Sequence, residues 1–257
     1  MKIRVLGTGT STGVPMIACA CEVCTSSNPK DKRLRVSVYI EVDDLCLCID
    51  TGPDFRQQML LEKITKLDAV LFTHEHKDHT AGLDDVRAFN FIQNKDMPCY
   101  GRGTVLKQIK QEFAYAFVEH KYPGIPRINL KEIYNQPFEI QGVEIIPIDV
   151  MHHLLPVFGF RIRDFAYITD VNFIPDSEFE KLQNLEILIM GALQHTEHPS
   201  HYTLPQAIEI AKKINAKKTY FTHISHRMGL HEVTETQYLE PVSDSIFLAY
   251  DGLKIEI

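Results

Sequence analysis

Residues 67–89 read LDAVLFTHEHKDHTAGLDDVRAF. A hydrophobic, strand-like run ends at Thr73 and releases His74, His76, Asp78 and His79 into a loop, before a helical pattern begins near Ala81. In an extended turn His74 and His76 share a side, while Asp78 and His79 lie beside the helix start, so the two pairs can face two separate cations. A solvated polar loop is the plainer reading. It is disfavoured because imidazoles and a carboxylate crowded after a buried strand cost free energy unless something satisfies them.

Outward from this loop, strand-like runs occupy the whole chain, at Ile3–Leu6, Val36–Val42, Leu45–Ile49, Ala69–Phe72, Phe138–Val150, Phe158–Ile162, Phe165–Ile168, Ile187–Met190, Thr219–Phe221 and Ile246–Tyr250. Helical spacing fits Asp54–Glu62, Leu83–Ile92, Val105–Phe117, Ser177–Leu182 and Pro205–Ile214. Hairpin-like stretches interrupted by single helices do not give strict strand–helix alternation, so the expectation is α/β with two mixed sheets flanked by helices. No repeat or linker marks a boundary, and residues 1–257 are read as one domain. The early Gly7-Thr8-Gly9-Thr10-Ser11-Thr12-Gly13 lacks the spacing and following helix of a dinucleotide fingerprint and reads as a turn near the active site.

Composition narrows the function classes. With 27 Lys+Arg against 34 Asp+Glu, the net charge of −7 argues against a protein that coats a polyanion. Apolar runs are far shorter than the roughly 18–20 residues of a membrane span, and the start lacks a secretory apolar stretch. A cytoplasmic protein with no membrane association is expected. Cys19, Cys21 and Cys24 crowd together at a spacing suited to thiolate coordination of a metal in a reducing compartment, a reactive thiol cluster being the alternative. Cys46 and Cys48, two apart on a strand, read as small buried hydrophobes.

The chain resembles the metallo-β-lactamase superfamily, whose H-x-H-x-D-H signature is matched by His74, His76, Asp78 and His79. The resemblance extends over essentially the whole chain and implies an αββα sandwich. It also implies three further ligands at later strand ends: His152 after Val143–Val150, Asp170 after Phe165–Ile168 as the bridge between two metals, and His223 after Thr219–Phe221. Within Met151-His152-His153, His152 is preferred, because relatives tend to carry one histidine, a short segment and then a glycine such as Gly159. Asp170 is preferred over Asp164 and Asp176 because it alone directly follows an apolar strand and a threonine. Asp50 matches the early aspartate that orients a metal-bound histidine; a helix N-terminal carboxylate is the alternative.

Within the superfamily, Cys19, Cys21 and Cys24 resemble the small cyclic phosphodiesterase branch, related to the enzyme of the carbon–phosphorus lyase pathway that opens 5-phosphoribosyl 1,2-cyclic phosphate. There a late histidine completes a structural zinc site, a role implied for His226, with His231 as alternative. The resemblance also implies a histidine general acid before the helix at Pro205, and His201 is assigned to it, with His195 and His198 secondary and no role for His120.

The resemblance and the ligand pattern together imply a metal-dependent phosphodiesterase for small, including cyclic, diesters. Two cations roughly 3.5–4 Å apart would share a hydroxide that attacks phosphorus in line. Asp78 and Asp170 hold the ions, and His201 protonates the leaving alkoxide. The active-site pair is zinc or manganese, with iron also within the ligand set's range, and the thiolate site takes zinc. The rivals are a transfer-RNA 3′-processing endonuclease, disfavoured by charge and the lack of a basic arm, and a non-catalytic metal-binding module. The expected partner is a small phosphodiester; no stable nucleic-acid complex is expected, and a homodimer is compatible with the chain.

Overall fold

The computed structural model describes residues 1–119 and 122–257, so His120 lies outside it. The first half of the chain supplies β1 (Lys2–Gly7), β2 (Ser37–Val42), β3 (Leu45–Ile49), β4 (Ala69–Leu71), β5 (Met97–Gly101) and β6 (Ile128–Glu132). The second supplies β7 (Phe138–Ile140), β8 (Val143–His152), β9 (Leu155–Ile162), β10 (Phe165–Ile168), β11 (Ile187–Gly191), β12 (Lys218–Thr222) and β13 (Ile246–Leu248). A last strand, β14 (Lys254–Glu256), returns to pair with β1. The sheets run β14-β1-β2-β3-β4-β5-β6 and β13-β12-β11-β10-β9-β8-β7, and each passes from antiparallel hairpins to parallel crossovers.

Side-chain alternation sorts the residues into layers. Val38, Ile40, Leu47 and Ile49 of the first sheet meet Phe158, Phe160, Phe165 and Tyr167 of the second in a core between the sheets. The opposite faces lie under helices: Tyr39, Cys46 and Cys48 pack with Phe55, Met59, Phe89 and Val105, while Ile168 and Met190 pack with Leu204, Ala207 and Ile208. The result is the expected helix–sheet–sheet–helix sandwich.

Several boundaries differ from expectation. The run Phe138–Val150 divides into β7 and β8, because Gln141 and Gly142 take φ of 50° and 81° and turn the chain back. The expected helix Leu83–Ile92 is a 3₁₀ turn, Leu83–Val86, followed by the α-helix Arg87–Gln93. β5, β6 and β14 lie outside the expected strands. MPCYG contains Pro98 and Gly101, and INLKE and KIE carry too few apolar positions to show a period.

Two features position the site. β3 runs parallel to β4, and β8, β10, β11 and β12 run in one direction, so the carboxyl ends of the strands in each sheet collect along one rim. The helix Leu204–Ile214 is capped by Thr203, whose hydroxyl accepts Gln206 N–H while Gln206 Oε1 accepts Thr203 N–H. That capping box, a device worth roughly 1 kcal/mol, fixes the loop bearing His201 two residues upstream.

Candidate metal centre

Three site residues sit at or just beyond strand ends in the left-handed region: Asp50 (φ 64°), Asp170 (48°) and His223 (57°). Non-glycine residues take this conformation uncommonly, and here it turns each side chain off its strand into the shared cleft. The loops meet closely. A Cβ on Gly52 would fall 2.1 Å from the Asp78 carbonyl oxygen, so only glycine lets the Asp50 turn lie against the histidine loop.

The structure brings His74, His76, Asp78, His79, His152, Asp170, His201 and His223 together. Their nitrogen and carboxylate atoms form overlapping sets, each within 4.8 Å: His74–His76–His152, His74–His79–Asp170, Asp78–His79–His223 and His152–Asp170–His201. His79 Nε2 is 3.1 Å from Asp170 Oδ2 and 3.3 Å from Asp78 Oδ2, and His223 Nε2 is 3.2 Å from Asp170 Oδ1. His152 Nε2 and His201 Nε2 each stand 4.0 Å from Asp170 Oδ1. His152 turns inward and is buried, whereas His153 is exposed at the hairpin tip.

Hydrogen bonds fix which nitrogen each ring presents. Asp50 accepts the Thr73 N–H at 2.9 Å, the Thr73 hydroxyl at 2.8 Å and His79 Nδ1–H at 2.7 Å. Burial pushes its carboxyl upward against the pull of His79, but three donors aimed at it favour the carboxylate. Thr73 has given its only proton to Asp50, so its oxygen accepts His74 Nδ1–H at 3.0 Å. His152 Nδ1–H donates to the Ser200 carbonyl at 2.8 Å. His74, His79 and His152 thereby turn Nε2 lone pairs toward the cleft. The sequence alone does not single out Thr73 or Ser200; only the position of Thr73 immediately before His74 hints at its role.

The electrostatics call for cations. Burial alone would raise the Asp170 carboxyl, but His223 and His79 outweigh it and hold it well below its ordinary range. Asp78 is likewise lowered, by His79 and His223 against burial. Burial lowers His74 and His152, keeping them neutral as metal ligands must be. Burial would also lower His79, yet Asp170, Asp78 and Asp50 hold it well above its usual value. Positive charge is thus demanded at His79 Nε2, which, like both ring nitrogens of His223, is buried and makes no hydrogen bond among the described residues. This donor set fits divalent cations held by imidazole and carboxylate.

His201 stands over the same cleft, with its ring 4.5 Å from that of His152 and stacked at 4.7 Å on that of His223. Burial and the neighbouring His223 push its imidazole down to about 2. His198 is exposed 4.9 Å from the His201 ring, and His195 donates from Nε2 to the Met228 carbonyl.

A second cluster lies apart from these residues. His226 Nδ1 is 3.3 Å from Cys19 Sγ, 3.3 Å from Cys21 Sγ and 3.6 Å from Cys24 Sγ. A backbone hydrogen bond from Cys24 and the His226 contact bring Cys21 down to about 6, while burial pushes Cys24 up to about 11. Three thiols and one imidazole converging on one point fit a closed zinc site. His231 lies elsewhere, its ring between Arg33 Nη2 at 3.1 Å and Glu235 at 3.4 Å.

Comparisons with known proteins point to one family and fold. The family described as "Beta-lactamase superfamily domain" matches residues 47–224, a span that holds Asp50 to His223 but not Cys19, Cys21, Cys24 or His226. A crystal structure of a new diphosphatase from the PhnP family shares 42% identity, covers 100% of this chain and 97% of that one, and superposes with a TM-score of 0.91. The Zn(2+)-bound PqqB from Methylobacterium extorquens shares the fold, with a TM-score of 0.81 at 18% identity over 100% of both chains. A Porphyromonas gingivalis protein (strain ATCC BAA-308 / W83) named "Octanoyltransferase" is 39% identical over 257 residues, which are 99% of this chain and 51% of that protein. The chain thus spans about half the length of that curated relative.

Proposed function

Because this chain belongs to the beta-lactamase superfamily, and within it resembles a PhnP-family diphosphatase, we propose that it hydrolyses small molecules at a phosphorus atom carrying two ester or anhydride oxygens. Phosphoric diesters, including cyclic ones, and esterified diphosphates, whose inner phosphorus bears one ester and one anhydride oxygen, share that chemistry. The observation that supports this most is the convergence on Asp170 of an all-imidazole set, His74, His76 and His152, and an imidazole–carboxylate set, Asp78, His79 and His223, with His201 4.0 Å from the same carboxylate.

The first set, His74, His76 and His152, and the second, Asp78, His79 and His223, would each hold one divalent cation, with Asp170 facing both. When bound, such cations neutralise phosphoryl oxygens and make water acidic enough to attack phosphorus near neutral pH. The remaining work falls to the protein. Asp50 and Thr73 orient His79 and His74, Ser200 orients His152, and Thr169 donates its hydroxyl to Asp170 Oδ2 at 2.9 Å. In this reading His201 Nε2, 4.0 Å from Asp170 Oδ1, would hand a proton to the departing oxygen once an anionic substrate in the cleft raises the imidazole that burial and His223 hold down, a contribution usually worth about 10²–10⁴-fold. No protein nucleophile is needed. Cys19, Cys21, Cys24 and His226 would hold zinc away from the reaction.

Metal-loaded chain assayed against cyclic and linear phosphodiesters, diphosphates, precursor transfer RNA, an octanoyl thioester and a lactam tests the proposal. The small phosphorus substrates should dominate. Preference for the RNA would favour the endonuclease reading, and preference for the thioester would favour the acyl chemistry named for the longer relative; either would overturn this one. Inactivity on every substrate at full metal occupancy would leave a binding module.

A further inference from the structure

The two metal clusters share one stretch of backbone. β12 ends at Thr222; His223 faces Asp170 and Asp78, and His226, three residues on, faces the cysteines. Between them Ile224 is clamped to the Gly-rich turn. Its N–H donates to the Thr8 carbonyl at 2.8 Å, and its carbonyl accepts Thr10 N–H at 3.1 Å. Ser225 is tied by its N–H to the Leu193 carbonyl and by its hydroxyl to Gln194 Oε1.

The turn itself is braced from below. The Thr8 hydroxyl accepts Arg33 Nη1–H at 2.8 Å and donates to Asp251 Oδ1 at 2.7 Å. Arg33, only 4% exposed, also donates to the Ala249 carbonyl at 2.7 Å. These residues connect the loop that follows the cysteines to the backbone beside His223.

His223 depends on that brace more than the other ligands do. His74, His79 and His152 each commit one ring nitrogen to Thr73, Asp50 or Ser200. Among the described residues neither His223 nitrogen makes a hydrogen bond that would fix its ring; beyond the stacking on His201 and the approach to Asp170, the ring is aimed by its backbone, which is left-handed. What holds Ile224 therefore holds His223.

We propose that the thiolate site anchors His223: occupancy of Cys19, Cys21, Cys24 and His226 fixes Ile224–Ser225, and Thr8 and Arg33 act as positioning residues that secure the same segment. Loading the closed site then raises the affinity of the Asp78–His79–His223 set for its ion, and by linkage the reverse also holds. This rests on both clusters being metal centres, but not on the substrate. Partners that orient metal ligands typically change affinity 10–100-fold when removed, and that range is expected here.

The test is calorimetric titration of Mn²⁺ into chain whose thiolate site already holds one equivalent of Zn²⁺, compared with Thr8→Val, Thr8→Ser and Cys21→Ser chains. Thr8→Val alters no ligand, so it should keep its zinc and one Mn²⁺ affinity while the other falls 10–100-fold. Thr8→Ser should restore it, and Cys21→Ser should show the same selective loss. Unchanged binding of both Mn²⁺ ions in Thr8→Val would overturn the proposal, as would an equal loss at both sites accompanied by a lower melting temperature. The titration uses no substrate, so failure of the phosphorus-hydrolase reading would leave its result standing, and the converse also holds.

Discussion

His79 gives Nδ1–H to Asp50 Oδ2 at 2.7 Å and turns Nε2 to Asp170 Oδ2 at 3.1 Å, so one imidazole joins a carboxylate outside the cleft to the carboxylate at its centre. The outer carboxylate sets the tautomer, and the tautomer decides whether the inner nitrogen offers a lone pair.

Asp50→Asn should therefore weaken metal binding 10–100-fold while leaving the fold intact. Asparagine offers one carbonyl oxygen and a donor amide where Thr73 and His79 present three donors. Zn²⁺ competition against a chromogenic chelator measures the loss; parental affinity would show that Asp50 does not orient His79.

Elemental analysis of metal-replete chain should find about three ions, two removed readily by chelator and one retained, since an open and a closed site differ in access. Cys21→Ser should lose the retained ion and melt at a clearly lower temperature, because metal binding free energy is partly folding free energy. Asp170→Ala should keep that ion and its fold but lose hydrolysis. Three ions and an unchanged melting temperature in Cys21→Ser would remove the structural site from the scheme.

His201→Ala should lower kcat by about 10²–10⁴-fold on diesters with poor alkoxide leaving groups, yet barely affect one that releases a nitrophenolate, whose departure needs no proton. Metal content should stay at the parental level. An equal loss on both substrate types would assign His201 to binding; no loss on either would pass the proton to another group.

Asp251, which is in neither ligand set but accepts the Thr8 hydroxyl, supplies a pH signature. Burial raises its carboxyl from 3.8 to about 6, despite hydrogen bonds from Leu34 N–H and the Thr8 hydroxyl. The folded chain binds more protons than the unfolded chain between those values, so this stabilisation is complete below about pH 4 and is lost as pH rises through about 6. Chemical denaturation of parent and Asp251→Asn should show their stability difference moving against the parent by on the order of 2–3 kcal/mol across that window and staying flat above it. A difference that grew in the parent's favour would mean that the carboxylate is stabilised in the fold.

Much of the fold is legible where local pattern is strong. β3, β10 and β11 carry runs of apolar and β-branched residues, and the helix Leu204–Ile214 has Leu204, Ala207, Ile208 and Ala211 on one face. β5, β6 and β14 escape a reading of the sequence because their residues become strands through pairing with neighbours already in place, not through their own preference.

Sequence by itself determined the groups whose members are neighbours in the chain: His74, His76, Asp78 and His79 in one loop, and Cys19, Cys21 and Cys24 in another. Residues so close along the chain cannot be far apart in space, so their chemistry can be read from spacing alone. Tertiary structure decided the rest: that His152 faces inward and His153 outward, that His226 meets cysteines more than 200 residues earlier, that Thr73 relays between Asp50 and His74, and that Thr8 braces the backbone beside His223. Those relations span long loops whose closure is rewarded only when both sheets have formed, and no local preference encodes which distant partner a side chain will meet.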